Sequence, residues 1–347
     1  MAKAKRIRIK CHAPARAGIK LVLLTRFDEL LSWREAALDW ADPEGVHSMR
    51  VASRRLRSAL RDFMPYVRKR RLAPVLKPLR QLARALGDVR DHDVAILGLE
   101  EIQKHAPRET SAALTELIET RKAIREEARK ELEAVITTEE LQALQLEFLA
   151  RVDEATASSE RKSKQTDEPR VTFADMSRAV LLARLKEFEK LSNALFRPLD
   201  GDALHEMRIA VKRLRYAIEL FQPCWPRAIA THAKRAARIQ TTLGDIHDCD
   251  VWIASVGKLI VRARKQNEHE RIKGLVSLLS YFTKLRTKYL RRALARWCEW
   301  EAQDSSGKLR AAVAPKEEAA DLPEIPAVAE AETITDQAAG EQMRQGL

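Results

Sequence analysis

The chain has 347 residues, with 63 Lys and Arg against 50 Asp and Glu, a formal net charge of +13 and a pI of about 9.7. Few glycines (11) and 5% aromatics favour helices over sheets, and no apolar run approaches the roughly 18 residues of a membrane span. Four cysteines, Cys11, Cys224, Cys249 and Cys298, have neither metal-ligand spacing nor the density of a disulfide scaffold, so reduced thiols in a cytoplasm are expected.

The first ten residues, MAKAKRIRIK, are basic, but LVLL at 21–24 is far too short for the apolar core of an export signal. Residues 1–14 therefore read as a basic arm on a soluble, unexported protein. Ala17 to Asp39 has helical spacing, and Asp42-Pro43-Glu44 then reads as a helix start, with Asp42 as N-cap and Pro43 at the first position.

That start opens VHSMRVASRRLRSALRDFMPYV, Val46 to Val67. At about 100° per residue, His47, Arg50, Arg54, Arg57 and Arg61 share one stripe, while Met49, Ala52, Leu56, Ala59, Leu60 and Phe63 form a separate core-facing side. Over fourteen residues the stripe runs about 21 Å, a cationic rail rather than a point site. A helix at about 72–86 places Lys77, Arg80 and Arg84 at three- and four-residue spacing beside it. Gly87 then reads as the residue closing that helix and Asp88 as the cap of the next. Further helices are expected at about 88–104, 111–136 and 138–152.

Residues 153–170 lose periodicity and fill with Ser, Thr and charge, the composition of a linker. The plan then repeats, with helices at about 173–195, 202–222, 226–243, 245–266 and 268–302. LHEMRIAVKRLRYAIELFQPCW sets His205, Arg208, Lys212 and Arg215 on a second rail, His205 lying 158 residues after His47. LGDVRDHDV at 86–94 recurs as LGDIHDCDV at 243–251. Two motifs returning in the same order at nearly the same interval indicate an internal duplication. The repeats are 15–152 and 171–302. On the last helix Lys284, Lys288 and Arg291 recur at helical spacing. Residues 303–347 hold nine acids against four bases, a net −5 that leaves +18 on the rest. This Ala/Pro/Glu-rich tail is expected to be disordered. A body so basic attracts polyanions.

Comparison of the two copies weighs each motif. Bases persist at 50/208, 54/212, 55/213 and 57/215, whereas Arg61 meets Glu219 and is dispensable. Arg and Lys kept on one stripe supply charge-assisted contacts to phosphate oxygens; His47 and His205 head the rails as donors that gain charge near a polyanion. Asp88, Asp91, Asp93, Asp245, Asp248 and Asp250 are kept in both copies. His92 aligns with Cys249 and Arg90 with His247, so no shared metal-ligand set is kept. The acids are read as caps and as partners holding the rail arginines, with Arg55 and Arg213, which point away from the stripes, as their counterparts. No Gly-rich phosphate loop or nucleophile constellation stands out, so neither a cofactor nor catalytic residues are expected.

The pairing of His47-x-x-Arg50-x-x-x-Arg54-Arg55-Leu56-Arg57 and His205-x-x-Arg208-x-x-x-Lys212-Arg213-Leu214-Arg215, each followed by Leu-Gly-Asp-x-x-Asp-x-Asp-Val, resembles the CHAD domain over about residues 15–302. The resemblance implies an all-α fold of two helical bundles related by pseudo-two-fold symmetry. It also implies binding of inorganic polyphosphate through a basic surface, and a place on cytoplasmic polyphosphate granules. The ExExK signature of the triphosphate-processing domain that some such proteins carry is not found here, which favours a binding role over catalysis. Nonspecific association with DNA or RNA is the rival; the rails lack the interleaved aromatics that stack bases. A metal-dependent phosphohydrolase is the remaining alternative.

Overall fold

The structure, a computed structural model, describes residues 5–157, 171–225 and 229–314. It is all-helical. The first half runs α1 (Ala15–Leu31), α2 (Arg34–Leu38), α3 (Glu44–Phe63), α4 (Lys69–Gln103), α5 (Arg108–Val135) and α6 (Thr138–Thr156). The second half repeats the order with α7 (Phe173–Lys190), α8 (Gly201–Phe221), α9 (Ala230–Lys265), α10 (His269–Ala302) and α11 (Ser305–Val313). Most of the expected linker (158–170) and most of the tail (315–347) lie outside the described residues.

Local chemistry explains the starts. Thr172 and Asp175 form a reciprocal capping box on α7, and the Asp200 carboxylate accepts the Ala203 N–H at 3.0 Å to open α8. Asp42 accepts the Glu44 N–H at 2.9 Å, so α3 begins one residue later than the spacing predicts, with Pro43 as its cap position.

Two breaks expected from the sequence are absent. Gly87 and Gly244 sit inside α4 and α9, which run unbroken, so Gly87 closes no helix and Asp88 caps none. A mid-helix glycine costs about 1 kcal/mol. Leu86 and Val89, and Leu243 and Ile246, are buried on either side, and that packing holds the helices through the glycines. Residues 305–313, placed in the tail by composition, form α11, which buries Leu309 and Val313.

The two halves share one continuous core. Phe63 and Phe221, 158 residues apart, meet at 6.1 Å between ring centroids, and Phe173 joins them at 6.2 and 5.8 Å. Beyond this core, the far ends of α4, α5, α9 and α10 gather a second apolar cluster around Leu99, Leu114, Val256, Leu278 and Phe282. The rail helices α3 and α8 thus lie side by side at the centre, with α4, α9 and α10 leading away from them.

The N-terminal arm is fastened to the second half. Phe173 N–H donates to Ala13 O at 2.9 Å and Ala174 N–H to Cys11 O at 2.8 Å. Cys11 and Cys224 form a disulfide across a separation of 213 residues. That corrects the expectation of four reduced thiols: sequence spacing does not reveal that the arm folds back onto the end of α8. Cys249 and Cys298 are free thiols.

Candidate polyanion groove

The face of α3 opposite its buried side carries Arg50, Arg54, Arg57 and Arg61, all half-buried. α4 brings Lys77, Arg80 and Arg84 alongside, and α8 contributes Lys212 and Arg213. These nine bases line one groove of about 280 Å³, with Asp88 as its acid. The first rail and α4 thus supply most of this trough, and of the second rail only Lys212 lines it.

The groove's floor gathers like charges. Arg54 is half-buried; desolvation lowers its pKa, the guanidinium groups of Arg50, Arg215 and Arg208 push the same way, and the Tyr216 phenol opposes them. Its Nε has no hydrogen-bond partner, and its Cζ lies 5.3 Å from the centroid of the Tyr216 ring, over which Arg215 also lies at 5.4 Å. Three hydroxyls lining the groove, those of Ser53, Ser58 and Tyr216, are likewise buried without a partner. Buried cations and donors left unmatched cost stability unless something arrives to satisfy them.

The sequence reasoning overlooked Tyr216, Ser53 and Ser58. A signal was present, because Ser58 and Tyr216 stand 158 residues apart, a hydroxyl at the same place in each copy.

Acids hold several rail bases. Asp91 pairs with Arg50 at 2.9 Å, Asp88 with Arg84 at 3.9 Å, and Arg215 bonds Glu219 at 2.7 Å and Gln240 at 3.2 Å. Asp93 and Asp250 reach bases outside the rails, Arg125 at 3.5 Å and Arg286 at 2.5 Å. Arg55 and Arg213 also reach acids outside the Asp motifs. Arg55 bonds Glu29 of α1 at 2.9 Å, and Arg213 bonds Glu187 of α7. Glu29 and Glu187 are themselves 158 residues apart.

Burial raises the Asp88 carboxyl to about 6 against the pull of Arg84, with Asp91 and Glu131 adding to the rise. Asp248 is also raised to about 6 by burial against Arg208, helped by Asp91 and Asp245. Burial lowers His47 below its ordinary value, and Arg90 adds to that. His47 does not line the groove. His205 sits with its Nδ1 3.3 Å from that of His247 and, with Arg208, lines a neighbouring cavity of about 1000 Å³ that shares Arg50 and Lys212 with the groove. Lys284 lines that cavity too, whereas Lys288 and Arg291 belong to a separate concavity on α10. Among the described residues no three His, Cys, Asp or Glu side chains converge as a metal site, and no helix is long and apolar enough to cross a membrane.

A family model described as the CHAD domain matches residues 21–257. Among solved structures, the crystal structure of the CHAD domain from the plant Ricinus communis is similar, with a TM-score of 0.59, 22% sequence identity, and coverage of 84% of this chain and 96% of that one. At that identity the likeness carries the fold. No curated protein matches the chain.

Proposed function

The chain belongs to the CHAD domain family, and we propose that it binds inorganic polyphosphate in the groove between α3, α4 and α8, without catalysis, and that this takes it to polyphosphate granules. The single observation carrying this reading is the half-buried Arg54, set among Arg50, Arg208 and Arg215 with its Nε buried and unmatched. Like charges gathered and partly desolvated call for a polyanion. A linear chain of phosphates supplies an acceptor oxygen at every step, with little bulk between them, along a trough of nine bases. The half-buried hydroxyl-lined floor favours such a slim polymer over duplex nucleic acid, whose phosphates are spread around a wide helix.

Competition tests this. Long-chain polyphosphate should displace bound duplex DNA at a phosphate concentration at least tenfold below that needed for the reverse, and both should weaken steeply with salt. Parity between the polymers would assign the groove to nucleic acid. No phosphate should be released on incubation with Mg²⁺ or Mn²⁺.

A further inference from the structure

The large cavity beside the groove has two chemically different ends. At one end are Arg50, Arg208 and Lys212; at the other are Trp252, Tyr281 and Phe282. The helices set this gradient. The lining face of α4 passes from Asp91 through Val94 and Gly98 to Ile102, about 16 Å at 1.5 Å per residue. That of α9 passes from Asp245 and Asp248 to Trp252, and α10, running back, from Lys284 to Val276.

Asp91, Asp245 and Asp248 stand beside those bases, Asp91 pairing with Arg50 at 2.9 Å, and Glu101 lines the cavity next to Ile102, so a polyphosphate chain running on past Lys212 would meet repulsion. Whatever occupies the far end must shed its negative charge there. That end is also unusually wet for an apolar surface: Tyr281 is 43% exposed, Val94 46% and Val276 47%. The ring of Phe282 stacks on Trp252 at 5.6 Å, and Tyr281 meets Phe282 at a steep angle, 5.5 Å between centroids, while staying part-exposed. Thr110 lines the same cavity, 4% exposed, and its hydroxyl has no partner.

We propose that this cavity binds a nucleoside polyphosphate. Its phosphates lie on Arg50 and Lys212, its sugar hydroxyls face the aspartates, and its base stacks on Tyr281 with the Thr110 hydroxyl at its edge. The volume of about 1000 Å³ is at the upper end of cofactor-sized sites. The phosphate end rests on the polyphosphate reading, because Arg50 and Lys212 line both spaces.

Gly98 supplies the test. A Cβ built there meets nothing within 4 Å, so Gly98→Phe fills the cavity's apolar part while α4 loses a mid-helix glycine. Calorimetric titration of the full chain with ATP, inorganic tripolyphosphate, farnesyl diphosphate and long-chain polyphosphate should rank ATP at least tenfold tighter than tripolyphosphate and tighter than farnesyl diphosphate. Gly98→Phe and Tyr281→Ala should each erase the ATP advantage and leave tripolyphosphate and long-chain polyphosphate unchanged. ATP no tighter than tripolyphosphate, or an advantage that survives Gly98→Phe, would overturn the inference while long-chain binding still upheld the groove. Tighter farnesyl diphosphate would reassign the cavity to alkyl phosphates, and loss of all four ligands would remove the groove reading as well.

Discussion

Arg54 is where sequence and structure diverge most at the scale of single residues. The helical stripe places it among equals, yet in the fold it is the member whose Nε is buried without a partner, over the Tyr216 ring and among three other guanidinium groups. No one-dimensional pattern ranks the arginines of a stripe, because ranking depends on the second helix that covers them. Asp88 gives the groove a pH dependence. Its carboxyl is neutral below about 6 and charged above, and a charged carboxylate inside the trough repels phosphate. Affinity for polyphosphate should therefore rise as pH falls from 7.5 to 5.5. Asp88→Asn should bind several-fold tighter at pH 7.5 and show a smaller rise on acidification, as read by fluorescence anisotropy.

Among the elements, α3 and α8 were legible because their apolar faces are clean and their basic stripes repeat. The continuous α4 and α9 were not, since glycine followed by aspartate is the local signature of a helix boundary and only tertiary packing overrides it. Neighbouring elements are bolted together by buried ion pairs that the sequence also hid. Asp62 of α3, 2% exposed, accepts from Arg184 Nε of α7 at 2.9 Å, and Arg184 in turn bonds Glu187 at 3.0 Å. Burial raises the Asp62 pKa against that arginine. Asp62→Ala leaves a buried guanidinium short of a partner, a change that costs about 3 kcal/mol or more. Urea unfolding should register that loss, whereas Asp28→Ala on the exposed surface should not.

Across the whole molecule, the 158-residue interval between the sequence motifs reappears in structure as Arg26–Glu29–Arg55 in one half and Arg184–Glu187–Arg213 in the other. What spacing did not convey was closure. The arm crosses to the second half and is locked there by Cys11–Cys224, a contact between residues 213 apart that no local rule predicts. A cross-link closing so long a loop contributes about 2–4 kcal/mol in typical cases. Reduction with dithiothreitol should lower the thermal midpoint by several degrees with helicity retained at 25 °C. Cys249 is buried with its thiol pushed up to about 12 by burial, so Cys298 should be the fast-reacting thiol before reduction.

The trough between α3, α4 and α8 is the centre of this account, and one measurement reaches it directly: the affinity for long-chain polyphosphate of the Arg54→Glu, Lys212→Glu double variant beside the parent chain, with circular dichroism on both. The new carboxylates are placed among Arg50, Arg208 and Arg215, so the helices should persist while affinity falls at least a hundredfold. Unchanged affinity with an intact helical spectrum would contradict the account and move the polymer elsewhere on the protein.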